Sequence, residues 1–221
     1  MLTRLGLLAA LAVIAVLVAV SIAGPGSKSS STGGGTKTAT ESMFSGIPQH
    51  GIALGSPKAP VTMVEFGDLQ CPFCAQYDRD VLPTLVDRYV RTGKLRLELR
   101  LLRFLGPDSD KLARVAAVAA TQNRMWQFVD LAYKRQGPEN SGYATDDFIN
   151  MLAADAGLRR TAVGAGAEQE VRRSEQAART LGIDSTPSFL IGRTGRPLSR
   201  FEPSDLTPGS FTPAIEKELG R

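Results

Sequence analysis

The sequence predicts an α/β fold with a helical insertion. Three observations support this prediction: a strand-forming run at Val61–Phe66, alternating leucines from Leu95 to Leu101, and helical patterns from about 107 to 181 that two further strand patterns follow. The predicted order is strand, helix, strand, helical block, strand, strand, helix. Strands that alternate with helices in this way favour a sheet covered by helices.

The first residues have the pattern of a membrane anchor or an export signal. Arg4 is followed by 19 uncharged residues, Leu5 to Ala23. A helix of that length just spans a hydrocarbon core of roughly 30 Å. Ser21-Ile22-Ala23 also fits a small-x-small cleavage site. We therefore expect residues 1–23 to be an uncleaved signal anchor or a cleaved signal peptide, with the remainder exported.

Residues 24–46 have the composition of a flexible linker. Short runs of glycine, serine and proline lie at 24–26, 29–31 and 33–35, and the segment has no apolar period. The folded domain is then expected to span residues 47–221.

The first predicted strand and helix flank a Cys-x-x-Cys motif. Val61–Phe66 is rich in β-forming residues, and Asp78–Arg91 carries apolar residues at the spacing of one helix face. Cys71 therefore lies at a strand-to-helix junction, with Pro72 in the first helical turn, where proline is tolerated. Pro83 lies inside the predicted helix and is expected to kink it.

The helical block has three predicted helices, at Lys111–Gln136, Thr145–Ala156 and Ala167–Leu181. Thr145 is a suitable N-cap for the second of them. The C-terminal elements are a strand at Ser188–Ile191, a hairpin partner near Leu198–Phe201 and a closing helix at Phe211–Leu219.

Cysteine and histidine content narrows the chemistry. The 221 residues contain two cysteines, Cys71 and Cys74, and one histidine, His50. A zinc site lacks further ligands, and a haem attachment would need histidine where Ala75 stands. A static disulfide would close too short a loop to stabilise much. Zinc and static-disulfide interpretations are therefore minor alternatives, and the pair indicates dithiol–disulfide exchange.

Charge gives no strong indication of a partner. The net charge of +4 and a pI of about 9.3 are modest and the basic residues are scattered. A solvated surface that faces anionic lipid is a simpler interpretation than nucleic-acid binding. We expect no nucleic-acid partner, no metal and no cofactor.

The position of Cys71 favours its thiolate. Unpaired N–H groups and the macrodipole at a helix N-terminus stabilise an anion. The thiolate is the attacking species in exchange, and a stable thiolate is a good leaving group, so such a pair tends to oxidise its substrates. Cys74 lies one turn further along and is expected to be shielded and to act as the resolving thiol.

The segment from Glu65 to Cys74 resembles the active-site segment of DsbA-like thiol:disulfide oxidoreductases of the thioredoxin superfamily. Thr186-Pro187-Ser188-Phe189 resembles the cis-proline loop of that superfamily, which faces the cysteine pair. The helical block between them matches the DsbA-type insertion in position and size. The resemblance covers roughly residues 47–220 and implies a thioredoxin fold with a helical insertion.

The resemblance also implies roles for single residues. Cys71 would be the nucleophile and Cys74 the resolving cysteine, with the redox disulfide between them. Pro187 would be cis and would place the Thr186 backbone beside Cys71 for strand-like pairing with a substrate peptide. Glu65, six residues before Cys71, would be a buried acid that relays the proton to and from Cys74.

Phe73 departs from the family pattern. The best-known oxidants of the family carry histidine between the cysteines, whereas phenylalanine offers neither a hydrogen bond nor a charge. The helix N-terminus must then supply more of the thiolate stabilisation. With Pro72 and Phe189, Phe73 is expected to form an apolar platform for unfolded substrate. Asp68 is expected to be a loop or surface residue, and Trp126 a core residue.

These features predict a membrane-tethered, extracytoplasmic enzyme that introduces disulfides into exported proteins by dithiol–disulfide exchange. Its partners would be the thiols of exported or unfolded proteins. The resemblance suggests reoxidation by an integral-membrane, quinone-linked partner. An extracytoplasmic reductase or isomerase is the alternative among enzymes, and a binding module with a static disulfide is less favoured.

Overall fold

The computed structural model describes residues 32–220. The predicted anchor or signal at residues 1–23 lies outside the described residues, as does the first part of the predicted linker. Of the helices between 32 and 220, none is both long enough and apolar enough to span a bilayer. The chain divides after Gly34, and the architecture below is that of the unit Gly35–Arg221.

A six-stranded sheet lies at the centre of this unit, in the order β1-β2-β4-β3-β5-β6. β3 and β4 run parallel, and the other neighbouring strands run antiparallel. The strands are β1 Gln49–His50, β2 Ala53–Leu54, β3 Val61–Gly67, β4 Leu95–Leu101, β5 Ser188–Arg193 and β6 Ser199–Phe201.

Helices cover both faces of the sheet. Four of them, α4 to α7, fill the stretch between β4 and β5 where the insertion is predicted. The helices are α1 Thr32–Phe44, α2 Pro72–Asp80, α3 Leu82–Leu85, α4 Pro107–Ala120, α5 Met125–Lys134, α6 Asp146–Asp155, α7 Ala165–Thr180 and α8 Pro208–Leu219, with one π-helical turn at Val86–Val90.

The burial patterns of the two central strands show which of their side chains face the core. In β4 the four leucines are buried and the charged residues between them are partly exposed, which confirms the predicted one-sided strand. β3 is buried along its whole length, because it is covered on both faces. Val61 and Met63 belong to the large core, whereas Val64 and Phe66 pack in a second cluster with Ala178 of α7.

The predicted flexible linker is wrong for its second part, because Thr32–Phe44 is helical. Thr40 is fully buried, Phe44 is buried, and the Phe44 ring centroid lies 6.3 Å from that of Trp126. Trp126 is itself buried, as predicted for a core residue. The weak intrinsic helix propensity of a glycine- and threonine-rich segment is overridden here by packing of its C-terminal end.

Two predicted helices are interrupted. The predicted helix at Lys111–Gln136 is the pair α4 and α5, separated by a turn in which Asn123 adopts a φ of 55°. Asparagine tolerates this left-handed conformation better than most residues. The expected kink at Pro83 is a break after α2: proline occupies the first turn of α3, where its missing N–H costs nothing.

Candidate active site

The two cysteines lie where β3 gives way to α2. Cys71 is the N-cap of α2, with extended backbone angles of −72° and 120°, and Pro72 opens the helix. Cys71 is 4% exposed and Cys74 is fully buried one turn further along. Both are free thiols in this structure. One thiol therefore reaches the surface and the other lies beneath it.

The surroundings of Cys71 stabilise its thiolate. A hydrogen bond from the Cys74 thiol is the largest of several effects that lower the pKa of Cys71 from 9.0 to about 6, against the opposing effect of burial. The Thr186 side chain and the backbone N–H groups of Cys74 and Phe73 lower it further. Phe73 thus contributes through its backbone at the helix N-terminus, as the absence of a histidine requires.

Cys74 has the opposite tendency. Burial raises the pKa of Cys74 well above 9.0, and its hydrogen bond to Cys71 and the nearby Glu65 raise it further. At neutral pH the pair therefore consists of an outer thiolate and an inner thiol.

The cis-proline loop faces the outer cysteine. The Thr186–Pro187 peptide bond is cis, and the Thr186 carbonyl oxygen lies 3.3 Å from Cys71 Sγ. That carbonyl accepts a hydrogen bond only from a protonated thiol. When Cys71 is a thiolate, the carbonyl is free to accept a backbone N–H from another chain.

Glu65 lies under the cysteine pair rather than in solvent. Because side chains alternate along β3, Glu65 shares the face of Val61 and Met63, on which α2 packs. Glu65 is 5% exposed and its Oε1 has no hydrogen-bond partner among the described residues. Burial, followed by the charge of Cys71, raises the pKa of Glu65 to about 8. A carboxyl with this pKa can donate or accept a proton near neutral pH.

Gly67 leaves space beside this carboxyl. A Cβ at position 67 would lie 3.1 Å from Glu65 Oε1 and 3.2 Å from the Tyr133 hydroxyl. Both groups therefore border the same small space beneath the cysteines. Tyr133 comes from α5, so the helical insertion supplies one wall of the site.

A groove of about 320 Å³ lies next to the cysteine pair. Its lining includes Phe73, which is 61% exposed, together with Pro187, Phe201 and Leu206. Pro72 is exposed beside Phe73. Because Phe73 lies between the two cysteines and Pro187 follows Thr186, the groove offers apolar surface close to the cysteine pair.

Phe189 does not fit the predicted platform. It is one of the residues that line the groove, but it is only 2% exposed. Its ring packs 4.9 Å from the Tyr77 ring and 5.1 Å from the Phe211 ring, between centroids. Since β5 is a central strand, inward-facing Phe189 belongs to the core, and Phe73 is the exposed aromatic of the site.

Asp68 is predicted to be a loop or surface residue; it lies in the loop after β3, but it is fully buried rather than at the surface. Its Oδ1 accepts from Gln70 N at 2.9 Å and from Ser109 Oγ at 2.5 Å, while its Oδ2 accepts from the N–H groups of Phe104 and Leu105 at 2.8 and 3.1 Å. The carboxylate therefore ties the loop before Cys71 to the loop after β4. The hydrogen bond from Gln70 N to Asp68 forms an Asx turn, a local feature that sequence alone can indicate. The other partners of Asp68 are distant in sequence, so sequence alone does not indicate its burial.

Gln136 also fixes this loop, and sequence reasoning missed it. Its Nε2 donates to the carbonyl oxygens of Leu69 and Cys71 at 3.0 and 3.2 Å. Tyr143 adds a hydrogen bond from its hydroxyl to the Leu69 carbonyl at 3.2 Å. Both residues come from the insertion, whose loop after α5 thus positions the reactive cysteine.

Asp68→Ala is expected to lower the free energy of unfolding by roughly 3 kcal/mol or more, because each buried donor left unsatisfied costs about 1–3 kcal/mol. Chemical denaturation of the reduced protein measures this loss. Asp184→Ala is the matched control: Asp184 is exposed near the cis-proline loop, and its loss is expected to cost no more than about 0.5 kcal/mol. Equal losses for the two variants would contradict the buried role of Asp68.

The rate of Cys71 alkylation is expected to rise with pH with a midpoint near the pKa of about 6. Because the Cys71 pKa falls from 9.0 to about 6 on folding, the folded reduced protein binds fewer protons between these values. Ionisation of Cys71 therefore stabilises the folded protein above about pH 9, and this stabilisation is lost as pH falls through about 6. Cys71→Ser should remove this component from the pH dependence of unfolding; an unchanged dependence would contradict the assignment.

A Cys-x-x-Cys pair at a helix N-terminus, opposite a cis-proline loop and above a buried acid, defines a dithiol–disulfide exchange site. A profile of the family described as Thioredoxin matches residues 48–202. Probable disulfide bond formation protein D of Bacillus anthracis is 29% identical over 177 residues, which cover 76% of this chain and 77% of that protein.

Solved structures give the same fold. The crystal structure of oxidised BdbD from Bacillus subtilis matches with a TM-score of 0.65 at 20% identity, over 79% of this chain and 98% of that one. The structure of alpha-DsbA1 from Wolbachia pipientis matches with a TM-score of 0.64 at 23% identity, over 76% and 90% of the two chains. The chain belongs to the thioredoxin family, is a protein disulfide oxidoreductase and has a DsbA-like fold.

Proposed function

We propose that this enzyme works as an oxidase, which introduces disulfides into exported proteins outside the cytoplasm. The observation that carries the proposal is the difference between its two thiols: the pKa of Cys71 is about 6 and that of Cys74 is well above 9.0. A stabilised Cys71 thiolate stabilises the reduced enzyme. Reduction of the disulfide form is therefore more favourable in free energy, which makes this form a stronger oxidant.

In the proposed reaction, a substrate thiolate attacks Cys71 Sγ and the Cys71–Cys74 bond breaks. Cys74 leaves as a thiolate and takes one proton, for which Glu65, a buried carboxyl whose charge acts on Cys74, is the donor. A second substrate thiolate then attacks the substrate sulfur of the mixed disulfide, and Cys71 leaves as a thiolate. Two electrons pass to the enzyme. The substrate thiols lose two protons, of which Cys74 keeps one and solvent receives the other.

Substrate binding is assigned to the cis-proline loop and the adjacent groove. The Thr186 carbonyl, next to Cys71, would accept an N–H from an extended substrate segment, as in the pairing of β-strands. Pro187, Pro72 and Phe73 would contact apolar side chains on either side of the substrate cysteine. This arrangement suits unfolded proteins, whose backbone and apolar side chains are accessible.

The N-terminal sequence and the relatives support a proposal for the location and the partners. Residues 1–23 have the pattern of an anchor or signal, and an oxidising compartment is where substrate disulfides persist. Relatives of this chain are named for disulfide bond formation. A membrane-tethered catalytic domain on the outer side, with an integral-membrane, quinone-linked partner that reoxidises it, would complete the cycle.

Stoichiometric oxidation tests the direction of exchange. The disulfide form of the enzyme is mixed with a reduced, unfolded protein that contains two cysteines, and free thiols are counted over time. An oxidase transfers its disulfide to that protein until the enzyme is almost fully reduced. If the enzyme instead stays oxidised, and its reduced form removes disulfides from the same protein, the reductase alternative is correct.

A further inference from the structure

Two buried carboxyl groups, one on the active-site helix and one on α5, have no part in the reaction above. Asp78 of α2 is 4% exposed and Asp130 of α5 is fully buried. Asp78 follows Cys74 by four residues, so both side chains lie on the same face of α2. Burying two negative charges side by side is costly unless a proton or a cation compensates them.

The unpartnered atoms of this pair indicate where a proton lies. Asp78 Oδ2 and Asp130 Oδ1 are both buried, and neither has a donor among the described residues. Two ionised carboxylates cannot hydrogen-bond to each other, but one proton between them satisfies both atoms. Burial, followed by the charge of Asp130 and a hydrogen bond to it, accordingly raises the pKa of Asp78 well above its usual range.

The outer side of the pair reaches solvent. Asp130 Oδ2 accepts a hydrogen bond from Lys134 Nζ at 2.8 Å and another from the Thr40 hydroxyl of α1. Lys134 Nζ also lies 3.3 Å from Thr40 Oγ1, and the Lys134 side chain is 30% exposed. Lys134 therefore connects a fully buried carboxyl to water and balances its charge.

The inner side of the pair faces the thiol site. The charge of Glu65 acts on Asp78, and the charges of Cys74, Glu65 and Asp78 all act on the buried hydroxyl of Tyr133. The titratable and charged groups around the pair are Glu65 on β3, Cys74 and Tyr77 on α2, and Tyr133 and Lys134 on α5, with the Thr40 hydroxyl on α1.

We propose that Asp78 and Asp130 share one proton and pass protons between the buried Cys74–Glu65 site and solvent at Lys134. When Cys74 leaves as a thiolate it takes the Glu65 proton, Glu65 is reprotonated from Asp78, and water near Lys134 restores the shared proton. The net change is one proton from solvent to Cys74, and reoxidation reverses it. The inference rests on the proposed role of Glu65. Both aspartates act on Cys74 only through Glu65, so they are positioning residues and not catalytic residues.

The rate of the step in which Cys74 leaves tests this relay. Asp130→Asn keeps the size and hydrogen-bonding capacity of the side chain but cannot carry a proton. It is expected to slow opening of the disulfide by on the order of tenfold, less than the 10²–10⁴ associated with a group that transfers the proton itself. The solvent deuterium isotope effect on that step should rise, while the Cys71 pKa stays near its value of about 6.

Asp80→Asn is the matched control, because Asp80 is exposed on the same helix and its ion-pair partner there is the likewise exposed Arg79. It should match the unmodified enzyme in rate and isotope effect. If Glu65→Gln slows the step and Asp130→Asn does not, the relay is overturned while the role of Glu65 stands. If Glu65→Gln leaves the step unchanged, both fail.

Infrared difference spectra of the reduced and oxidised protein test the shared proton independently of rates. In Glu65→Gln the signal of Glu65 is removed, and we expect a protonated-carboxyl band that still shifts with redox state. Asp78→Asn in the same background should abolish that band. A Glu65→Gln protein without any protonated-carboxyl signal at neutral pH would overturn the proposal, even if the aspartate variants fail to fold.

Discussion

Cys74→Ala is expected to accumulate mixed disulfides between Cys71 and substrate proteins, whereas Cys71→Ala is expected to form none and to lose all measurable exchange. The two results differ because Cys71 carries the thiolate with a pKa of about 6, while Cys74 is fully buried with a pKa well above 9.0. Only Cys71 is then positioned and ionised to react with another protein. Without Cys74, nothing within the enzyme resolves the adduct.

Non-reducing electrophoresis and mass spectrometry of the adducts measure this difference. The double variant that lacks both cysteines is the control for non-covalent association, and it should show no adduct. Adducts attached to Cys74 in Cys71→Ala, at a level similar to those of Cys74→Ala, would contradict the assignment of roles.

Glu65→Gln is expected to slow the opening of the disulfide by about 10²-fold, at the lower end of what a general acid contributes. The glutamine keeps the size of the side chain in its buried position but holds no transferable proton. In the unmodified enzyme, Glu65 is the proton donor below its pKa of about 8. The rate should therefore fall as pH rises through that value, and Glu65→Gln should remove this dependence.

Stability gives a second readout for Glu65, with the opposite sign to that of Cys71. The pKa of Glu65 is raised on folding from 4.5 to about 8, so its contribution is fully present below about pH 4.5 and is lost as pH rises through about 8. Glu65→Gln should gain stability relative to the unmodified protein over this interval. A constant difference between the two proteins would mean that Glu65 is ionised throughout, and would contradict its role as acid.

Local sequence patterns predict the reactive part of the site well. The strand before Cys71, the proline that opens α2 and the helix N-terminus are all encoded within some 20 residues, because period, capping and proline position are short-range properties. The DsbA-like resemblance is likewise confirmed by the family match and the solved structures. The roles of Glu65 and of the cis-proline loop remain predictions, although the structure places both beside the cysteines.

Long-range contacts explain what the sequence could not show. The burial of Asp68 depends on Ser109 and on N–H groups beyond β4, and the pairing of Asp78 with Asp130 joins two helices about 50 positions apart. The helix at Thr32–Phe44 has a linker composition, and it is held by contacts to α5. Phe189 looks like a substrate contact in the motif, but a ring in a central strand packs inward.

The reduction potential of the Cys71–Cys74 couple tests the central claim most directly. It can be measured in glutathione buffers on a chain that begins at residue 24, which keeps α1 and its contact with Asp130. The account predicts a value well above roughly −200 mV, because the stabilised Cys71 thiolate favours the reduced form. A value near roughly −270 mV, typical of cytosolic dithiol reductants, would contradict the oxidase assignment.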